Sequence, residues 1–176
     1  METLKANESI PAKIARTVVE NSVRSDKKLK FIPKDVEPPF HKPAGAFVSI
    51  IKEGQLRGCM GTVQPTKENV AEEIVCNAIE AGFNDSRFEP IQMDELDQLT
   101  YSVDILGAVE QVTSEEQLDP QRYGVIVKSG EKKGTLLPNL PGIETAEAQV
   151  RIAKEKAGIG PGEPVELERF EVTRYH

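Results

Sequence analysis

Two short strand-like segments separated by four residues constrain the fold of this chain most. Residues 46–51 and 56–63 both have the composition that is typical of strands. The four residues that join them, 52–55, are polar apart from Gly54. A short glycine-bearing connection between two strands is typical of an antiparallel hairpin, so the sequence predicts a hairpin here.

Helical patterns occur on both sides of this hairpin. Residues 10–18 follow Ser9 with apolar side chains at a four-residue spacing, and residues 70–81 carry an apolar stripe at helical period. Thr145 is suited to cap a further helix that Gly158 would end. Because helices and strands do not alternate as regular βαβ units, the pattern favours an α+β fold with antiparallel sheets. The remaining strands are expected at 101–106, 123–128, 135–137 and 165–172.

The connections also carry predictions. Residues 32–43 are rich in proline, which favours an extended loop because residues before proline avoid helical geometry. The second helix is expected to begin near Thr66 and to end at Gly82. Short helices are expected at 93–99 and from a capping box at 113–116.

The length and composition limit the class of protein. A chain of 176 residues fits one domain, or two small lobes that share a core. Its hydrophobic fraction of 38% and charged fraction of 29% are typical of globular proteins. Its apolar runs are far shorter than the roughly 20 residues that a membrane span needs. The polar start lacks the apolar core of a signal peptide, so we expect a cytoplasmic protein with no membrane association.

Charge and cysteine content exclude several kinds of site. A formal net charge of -7 argues against nucleic acid as a partner, because a grip on phosphates needs clustered lysine and arginine. Cys59 and Cys76 have no CxxC spacing, which argues against a metal or redox centre. The glycine-rich residues 158–162 follow a helix and lack nucleotide-binding spacing, so no cofactor is expected.

The most informative segment for chemistry is the second strand of the hairpin. Alternate side chains of a strand share a face, so Arg57 and Cys59 are expected to be neighbours, about 6.6 Å apart at Cα. A guanidinium beside a thiol favours the thiolate, which would make Cys59 reactive. Gly58 and Gly61 indicate a bulge, or a place where another group approaches the backbone and its amides could hold a ligand.

Less reactive interpretations remain open for each of these residues. Cys59 would equally suit a small buried position in a tight sheet, with the glycines only permitting close packing. Asp85 and Arg87 lie two residues apart in a turn, where they would either fix the loop or present polar groups to a ligand. His41 is the single internal histidine and therefore the sole candidate for a histidine base, and the terminal His176 is a weaker one.

Several motifs follow one another in a fixed order along the chain. They are Gly45-Ala46-Phe47-Val48, Leu56-Arg57-Gly58-Cys59-Met60-Gly61-Thr62, Asp85-Ser86-Arg87-Phe88-Glu89-Pro90, Gly134-Thr135-Leu136-Leu137-Pro138 and Lys156-Ala157-Gly158-Ile159. Together they resemble the AMMECR domain family, the AmmeMemoRadiSam system protein A group, over roughly residues 40–172. The family usually has isoleucine at the position of Met60. The tryptophan that many relatives carry after the Leu-Leu-Pro segment is absent.

This resemblance implies a fold and a set of partners. It implies two α+β lobes, each with an antiparallel sheet and flanking helices, and a cleft between them. The larger lobe would comprise residues 1–112 and 162–176, and the smaller inserted lobe 113–161. The resemblance also implies association with a Memo-type protein and a radical S-adenosylmethionine protein, although no CxxxCxxC cluster for that cofactor is present. The residues expected to line the cleft or bind are Leu56, Gly58, Met60, Gly61, Asp85 and Arg87.

Two functional hypotheses follow. One is a protein-binding or accessory module whose substrate-sized cleft is lined by the segment 56–61. The other is a cysteine-dependent enzyme or modifying component in which Arg57 activates Cys59. The first is favoured because the sequence contains no set of nucleophile, base and orienting group. RNA-related work is a third possibility that the acidic balance disfavours, and neither a reaction nor an oligomeric state follows from the sequence.

Overall fold

The structure, a computed structural model, describes residues 7–27 and 40–176. Part of the predicted proline-rich loop, residues 32–39, lies outside the described residues. Three short helices accompany the main elements: a π-helical turn at Glu80–Asn84 and 3₁₀ helices at Met93–Gln98 and Glu115–Gln117. The main elements are, in chain order, α1 (Ile10–Ser25), β1 (Ala46–Lys52), β2 (Gln55–Thr62), α2 (Val70–Ile79), β3 (Leu99–Leu106), β4 (Glu110–Val112), β5 (Tyr123–Ser129), β6 (Lys132–Leu136), α3 (Ala146–Ala157) and β7 (Glu166–Tyr175).

The described residues form two compact units. The first contains the residues up to Ile105 together with Thr173–His176, and the second contains Leu106–Val172. Each unit has its own hydrophobic core, its own antiparallel strand pairs and packed helices, which confirms the α+β class. The lobe boundaries expected from the sequence, 1–112 with 162–176 and 113–161, stay a prediction.

In the first unit β1 is the central strand. It pairs antiparallel with β2 on one side and with β3 on the other. Val48 and Ile50 are fully buried in the core to which α1 and α2 contribute, whereas Ser49 between them is only half-buried. Because side chains alternate along a strand, Ser49 lies on the sheet face opposite to this core.

The turn between β1 and β2 is tighter than the four-residue spacing suggested. Lys52 pairs directly with Gln55, so the turn itself contains only Glu53 and Gly54. Both have positive φ, 51° and 79°, which is the backbone of a type I′ hairpin turn. The predicted hairpin is therefore confirmed, with Gly54 at a position where a left-handed backbone is needed.

Helix α2 begins later than predicted. Its N-cap is Asn69, whose side chain accepts a hydrogen bond from the Glu72 N–H at 2.9 Å. Thr66 and Lys67 instead donate their N–H groups to the carboxylate of Glu73, at 2.8 and 2.9 Å. The expected start near Thr66 is wrong because this buried carboxylate holds Thr66 and Lys67 in the loop before the helix.

The predicted end of α2 at Gly82 is also wrong. The helix passes into the π-helical turn Glu80–Asn84, which includes Gly82, and the chain becomes extended only at Asp85. A π-helical turn is wider than an α-helical one and occurs frequently at functional sites. Here it brings the Ala81 carbonyl against β2 and Asp85 to the edge of that strand.

The second unit is built around β5. This strand pairs antiparallel with β6 and with β7, and β4 also pairs with β7. Helix α3 has the predicted cap at Thr145 and ends at Gly158, whose φ of 67° is left-handed. It packs so closely on β6 that a Cβ at Gly134 would overlap the Ala153 carbonyl oxygen. The core residues of this unit include Val125, Val127, Val150, Ala153 and Leu167.

Candidate functional site

A β-bulge in β2 changes the expected geometry of residues 56–62, which we call the signature segment. Ile50 pairs with Gly58 and Ile51 pairs with Leu56, so Arg57 is the extra residue that has no partner in β1. A bulge interrupts the alternation of side chains along the strand. The bulge expected from Gly58 and Gly61 is therefore present, and it separates Arg57 from the alternating face that carries Cys59.

Arg57 is bound to Glu95 instead of approaching the thiol. Its Nε and Nη2 donate to the two carboxylate oxygens of Glu95 at 2.8 and 2.9 Å. Lys52 Nζ lies 3.0 Å from one of these oxygens, and the Gln92 N–H donates to the other at 3.0 Å. The hydrogen bonds from Arg57 hold the pKa of Glu95 at about 2 despite its burial. Both carboxylate oxygens of Glu95 thus accept hydrogen bonds from groups of the protein itself.

The Cys59 thiol is half-buried beside Ser49. Its Sγ lies 3.5 Å from Ser49 Oγ, and Ser49 is in register with both Cys59 and Ser102 across the three strands. Burial raises the pKa of the Cys59 thiol above its ordinary value, and the hydrogen bond with Ser49 and the charge of Arg87 lower it by less. At neutral pH this group is therefore a thiol, and the arginine that acts on it is Arg87 rather than Arg57.

Asp85 and Arg87 bind the main chain of Cys59, and we call this pair the edge clamp. The Cys59 N–H donates to Asp85 Oδ2 at 3.0 Å, and Arg87 Nη2 lies 3.5 Å from the Cys59 carbonyl oxygen. Arg87 also donates to both oxygens of Asp85, at 3.0 Å from Nε and 2.8 Å from Nη2. These bonds from Arg87 hold the pKa of Asp85 at about 2. These contacts fix the turn against the strand, and the role in ligand binding that was also considered for this turn stays a prediction.

The two glycines of the signature segment permit close packing. A Cβ on Gly58 would overlap the carbonyl oxygen of Ala81, and a Cβ on Gly61 would overlap the ring of Phe47. Met60 lies on the opposite face to Cys59, where it packs against the core of the first unit. Leu56, by contrast, is 42% exposed. The structure thus brings Cys59, Asp85 and Arg87 together and leaves Arg57, Leu56 and Met60 in separate surroundings.

Sequence reasoning missed four residues of this region. Ser49 and Glu95 bind Cys59 and Arg57, as described above. Asp104 on β3 is 4% exposed and accepts hydrogen bonds from Arg174 at 2.7 and 2.9 Å, and its charge raises the pKa of the Cys59 thiol. The alternation of β1 could have placed Ser49 opposite the core, but no local pattern marks Glu95 or the pairing of Asp104 with Arg174.

Two features are not found in residues 7–27 and 40–176, a metal site and a membrane-spanning helix. No group of three or more histidine, cysteine or acidic side chains is arranged to hold a metal ion there. None of the described helices is both long and apolar enough to cross a bilayer. His41 and His176 are both exposed. The cleft expected between two lobes stays a prediction.

The state of the thiol predicts its reactivity. In a Cys76→Ser variant, we expect iodoacetamide to alkylate Cys59 several-fold more slowly at pH 7.5 than it alkylates a free cysteine derivative. The rate should still be rising at a pH where that of the free derivative has levelled off, because the thiolate forms only above the raised pKa. Mass spectrometry of samples quenched at successive times, over a series of pH values, measures the alkylation rate and its pH dependence. A rate that levels off near neutral pH would contradict this expectation.

The chain matches a protein family and is similar to proteins of other organisms. A family model described as AMMECR1 matches residues 12–176. A protein of Thermotoga maritima is 48% identical over 165 residues, which are 93% of this chain and 95% of the relative. A protein of Clostridium acetobutylicum is 46% identical over 175 residues, which are 99% of this chain but only 37% of the longer relative.

A solved structure has the same fold. The crystal structure of an uncharacterized protein from Pyrococcus horikoshii matches with a TM-score of 0.85 and 26% sequence identity. The match covers 93% of this chain and 88% of that one. The names of these three proteins state no reaction, ligand or partner.

Proposed function

This chain belongs to the AMMECR1 family, and from that premise we propose that it is a protein-binding or accessory module rather than an enzyme. The main support is the position of Arg57. Its guanidinium donates two hydrogen bonds to the carboxylate of Glu95 and so does not activate the Cys59 thiol. Burial raises the pKa of that thiol. A thiol that is protonated at neutral pH and whose side-chain hydrogen-bond partner is a serine hydroxyl is poorly suited to covalent catalysis.

The region proposed to meet a partner is the exposed start of β2. Leu56 is 42% exposed and directly precedes Arg57, and Met93 is 55% exposed and lies two residues before Glu95. The Arg57–Glu95 ion pair joins the two segments that carry these side chains, and we call Leu56 and Met93 the contact pair. The proposal is that they form one apolar patch, because such patches mark protein interaction sites.

The proposed partners are the Memo-type protein and the radical S-adenosylmethionine protein that the family resemblance implies. Cys59 and Cys76 are both free thiols, which supports a reducing compartment such as the cytoplasm as the place of this interaction. The predicted cleft, lined by the signature segment, is part of the same proposal.

Titration calorimetry with the Memo-type protein encoded in the same genome tests the proposal. We expect Leu56→Asp to weaken binding at least tenfold, because a carboxylate would replace the apolar side chain at the contact. Ile10→Asp is the matched control, since Ile10 is 47% exposed at the start of α1 and should tolerate the change with unchanged affinity. Cys59→Ser should also bind normally.

Two outcomes would count against a binding module. One is the absence of binding to either proposed partner by the unaltered chain. The other is a Cys59→Ser protein that binds both partners normally and yet fails to restore growth or metabolite levels in a deletion strain. That second result would favour the alternative, a cysteine-dependent enzyme, for which the contact of Ser49 Oγ with the half-buried sulfur is the supporting observation.

A further inference from the structure

A groove of about 310 Å³ lies beside α3 in the second unit. It is bordered by one face of the helix, by Glu115 of the 3₁₀ helix Glu115–Gln117, and by Ile159 and Pro161 after the helix ends. Its volume is at the small end of the range for ligand sites, which suits one or two side chains rather than a large cofactor. The signature strand contributes nothing to it, so the groove is separate from the region described above.

The floor of the groove is apolar. Val150 and Ile159 are 5% and 4% exposed, belong to the core of the second unit and line the groove as well. Pro161 adds a third apolar surface at the end of the groove. An occupant therefore gains free energy by placing an aliphatic side chain on this floor.

The cations of the groove are already bound within the protein. Arg151 Nη1 donates to Glu155 Oε1 at 2.9 Å, one helical turn away. Lys154 Nζ donates to the carbonyl oxygens of Pro161 and Glu163, at 3.0 and 2.9 Å. Both cations thus have partners within the protein, and the positive charge of Arg151 is paired with the negative charge of a carboxylate.

Two carboxylates of the groove, by contrast, have no cationic partner among the described residues. Glu115 begins the 3₁₀ helix and Glu147 lies in the first turn of α3, and both are exposed. No ion pair is formed by either of them in that part of the chain. The groove thus combines an apolar floor with a rim of three carboxylates and two cations, on which Glu115 and Glu147 are the carboxylates without an ion pair among the described residues.

We propose that this groove binds a segment of a protein partner in which an aliphatic side chain stands next to a lysine or arginine. The aliphatic group packs on Val150 and Ile159, and the cation reaches Glu115 or Glu147. Charge complementarity selects the cation, because carboxylates outnumber cations at the rim by three to two and Lys154 is held by carbonyl oxygens. This assignment is independent of the function proposed for the signature strand.

Amide chemical shifts of the ¹⁵N-labelled chain test the assignment with two blocked hexapeptides. One contains two leucines followed by two lysines, and the other has glutamates in place of the lysines. We expect the lysine peptide to shift the amides of Val150 and Ile159, with a dissociation constant that rises as salt is added, since exposed charge pairs are screened. The glutamate peptide should bind at least tenfold more weakly.

Matched double variants distinguish an effect of the rim carboxylates on peptide affinity from an effect of the net charge of the chain. The double variant Glu115→Gln with Glu147→Gln should weaken the lysine peptide at least fivefold. The double variant Glu131→Gln with Glu166→Gln removes the same charge at exposed positions of this unit outside the groove, and should change the affinity less than twofold. Equal affinity for both peptides would overturn the proposal. Binding of hexylamine as tight as that of the lysine peptide would also overturn it, because the groove would then take a lone amine rather than a chain segment.

Discussion

Substitution of Gly58 by alanine is expected to lower the free energy of unfolding by about 3 kcal/mol, which is at the upper end for overpacking of a tight site. The added Cβ would overlap the carbonyl oxygen of Ala81, and this oxygen belongs to the backbone of the π-helical turn, so no side-chain rotation relieves the clash. Either β2 or the π-helical turn must move. Urea unfolding followed by far-ultraviolet circular dichroism measures the loss.

Gly162→Ala is the control for this substitution. No heavy atom lies within 4 Å of a Cβ built there, and its φ is not in the left-handed region. We expect its unfolding midpoint to stay close to that of the unaltered chain. If Gly58→Ala had a midpoint equal to that of Gly162→Ala, the close approach of β2 to the π-helical turn would be refuted.

Substitution of Asp85 by alanine has the second largest expected effect, a loss of about 2 kcal/mol at pH 7. Asp85 is 6% exposed, and its removal leaves the Cys59 N–H without its acceptor and Arg87 without its carboxylate partner. The loss is limited because Arg87 is more than half exposed, so that water solvates its guanidinium when the carboxylate is removed.

The pH dependence of this loss gives a second measurement. A carboxylate whose folded pKa is about 2 stabilises the fold fully above its unfolded pKa, which is near 4, and loses that effect as the pH falls towards 2. The difference in unfolding free energy between the unaltered chain and Asp85→Ala should therefore shrink between pH 5 and pH 2. Glu89→Ala, at an exposed residue nearby, should show little difference at either pH. A gap that stays constant with pH would exclude the edge clamp as its source.

The local elements of this fold could be predicted from the sequence. The hairpin of β1 and β2 follows from strand composition around Gly54, and α3 follows from Thr145, its apolar face and Gly158. In each case the signal lies within a few residues of the structure that it specifies, because caps and turns are satisfied by neighbouring atoms.

The geometry of the candidate site could be predicted only in part. Two-residue periodicity placed Arg57 beside Cys59, but the register of β2 against β1 skips Arg57, and the skipped residue turns to Glu95, far along the chain. The predicted start of α2 was wrong for a related reason, since Glu73 binds the amides of Thr66 and Lys67 in the loop before the helix. Both errors arise where a carboxylate outside the segment competes with a local backbone preference.

The edge clamp limits how another molecule can use β2. An unpaired outer strand normally offers its amides and carbonyls to any extended chain, which is how sheets aggregate or accept an extra strand. At Cys59 those backbone groups already bind Asp85 and Arg87, so a new strand cannot be added there without displacing them. At Cys59, recognition must therefore proceed through side chains, and the same contacts oppose strand-to-strand association at this point of the edge.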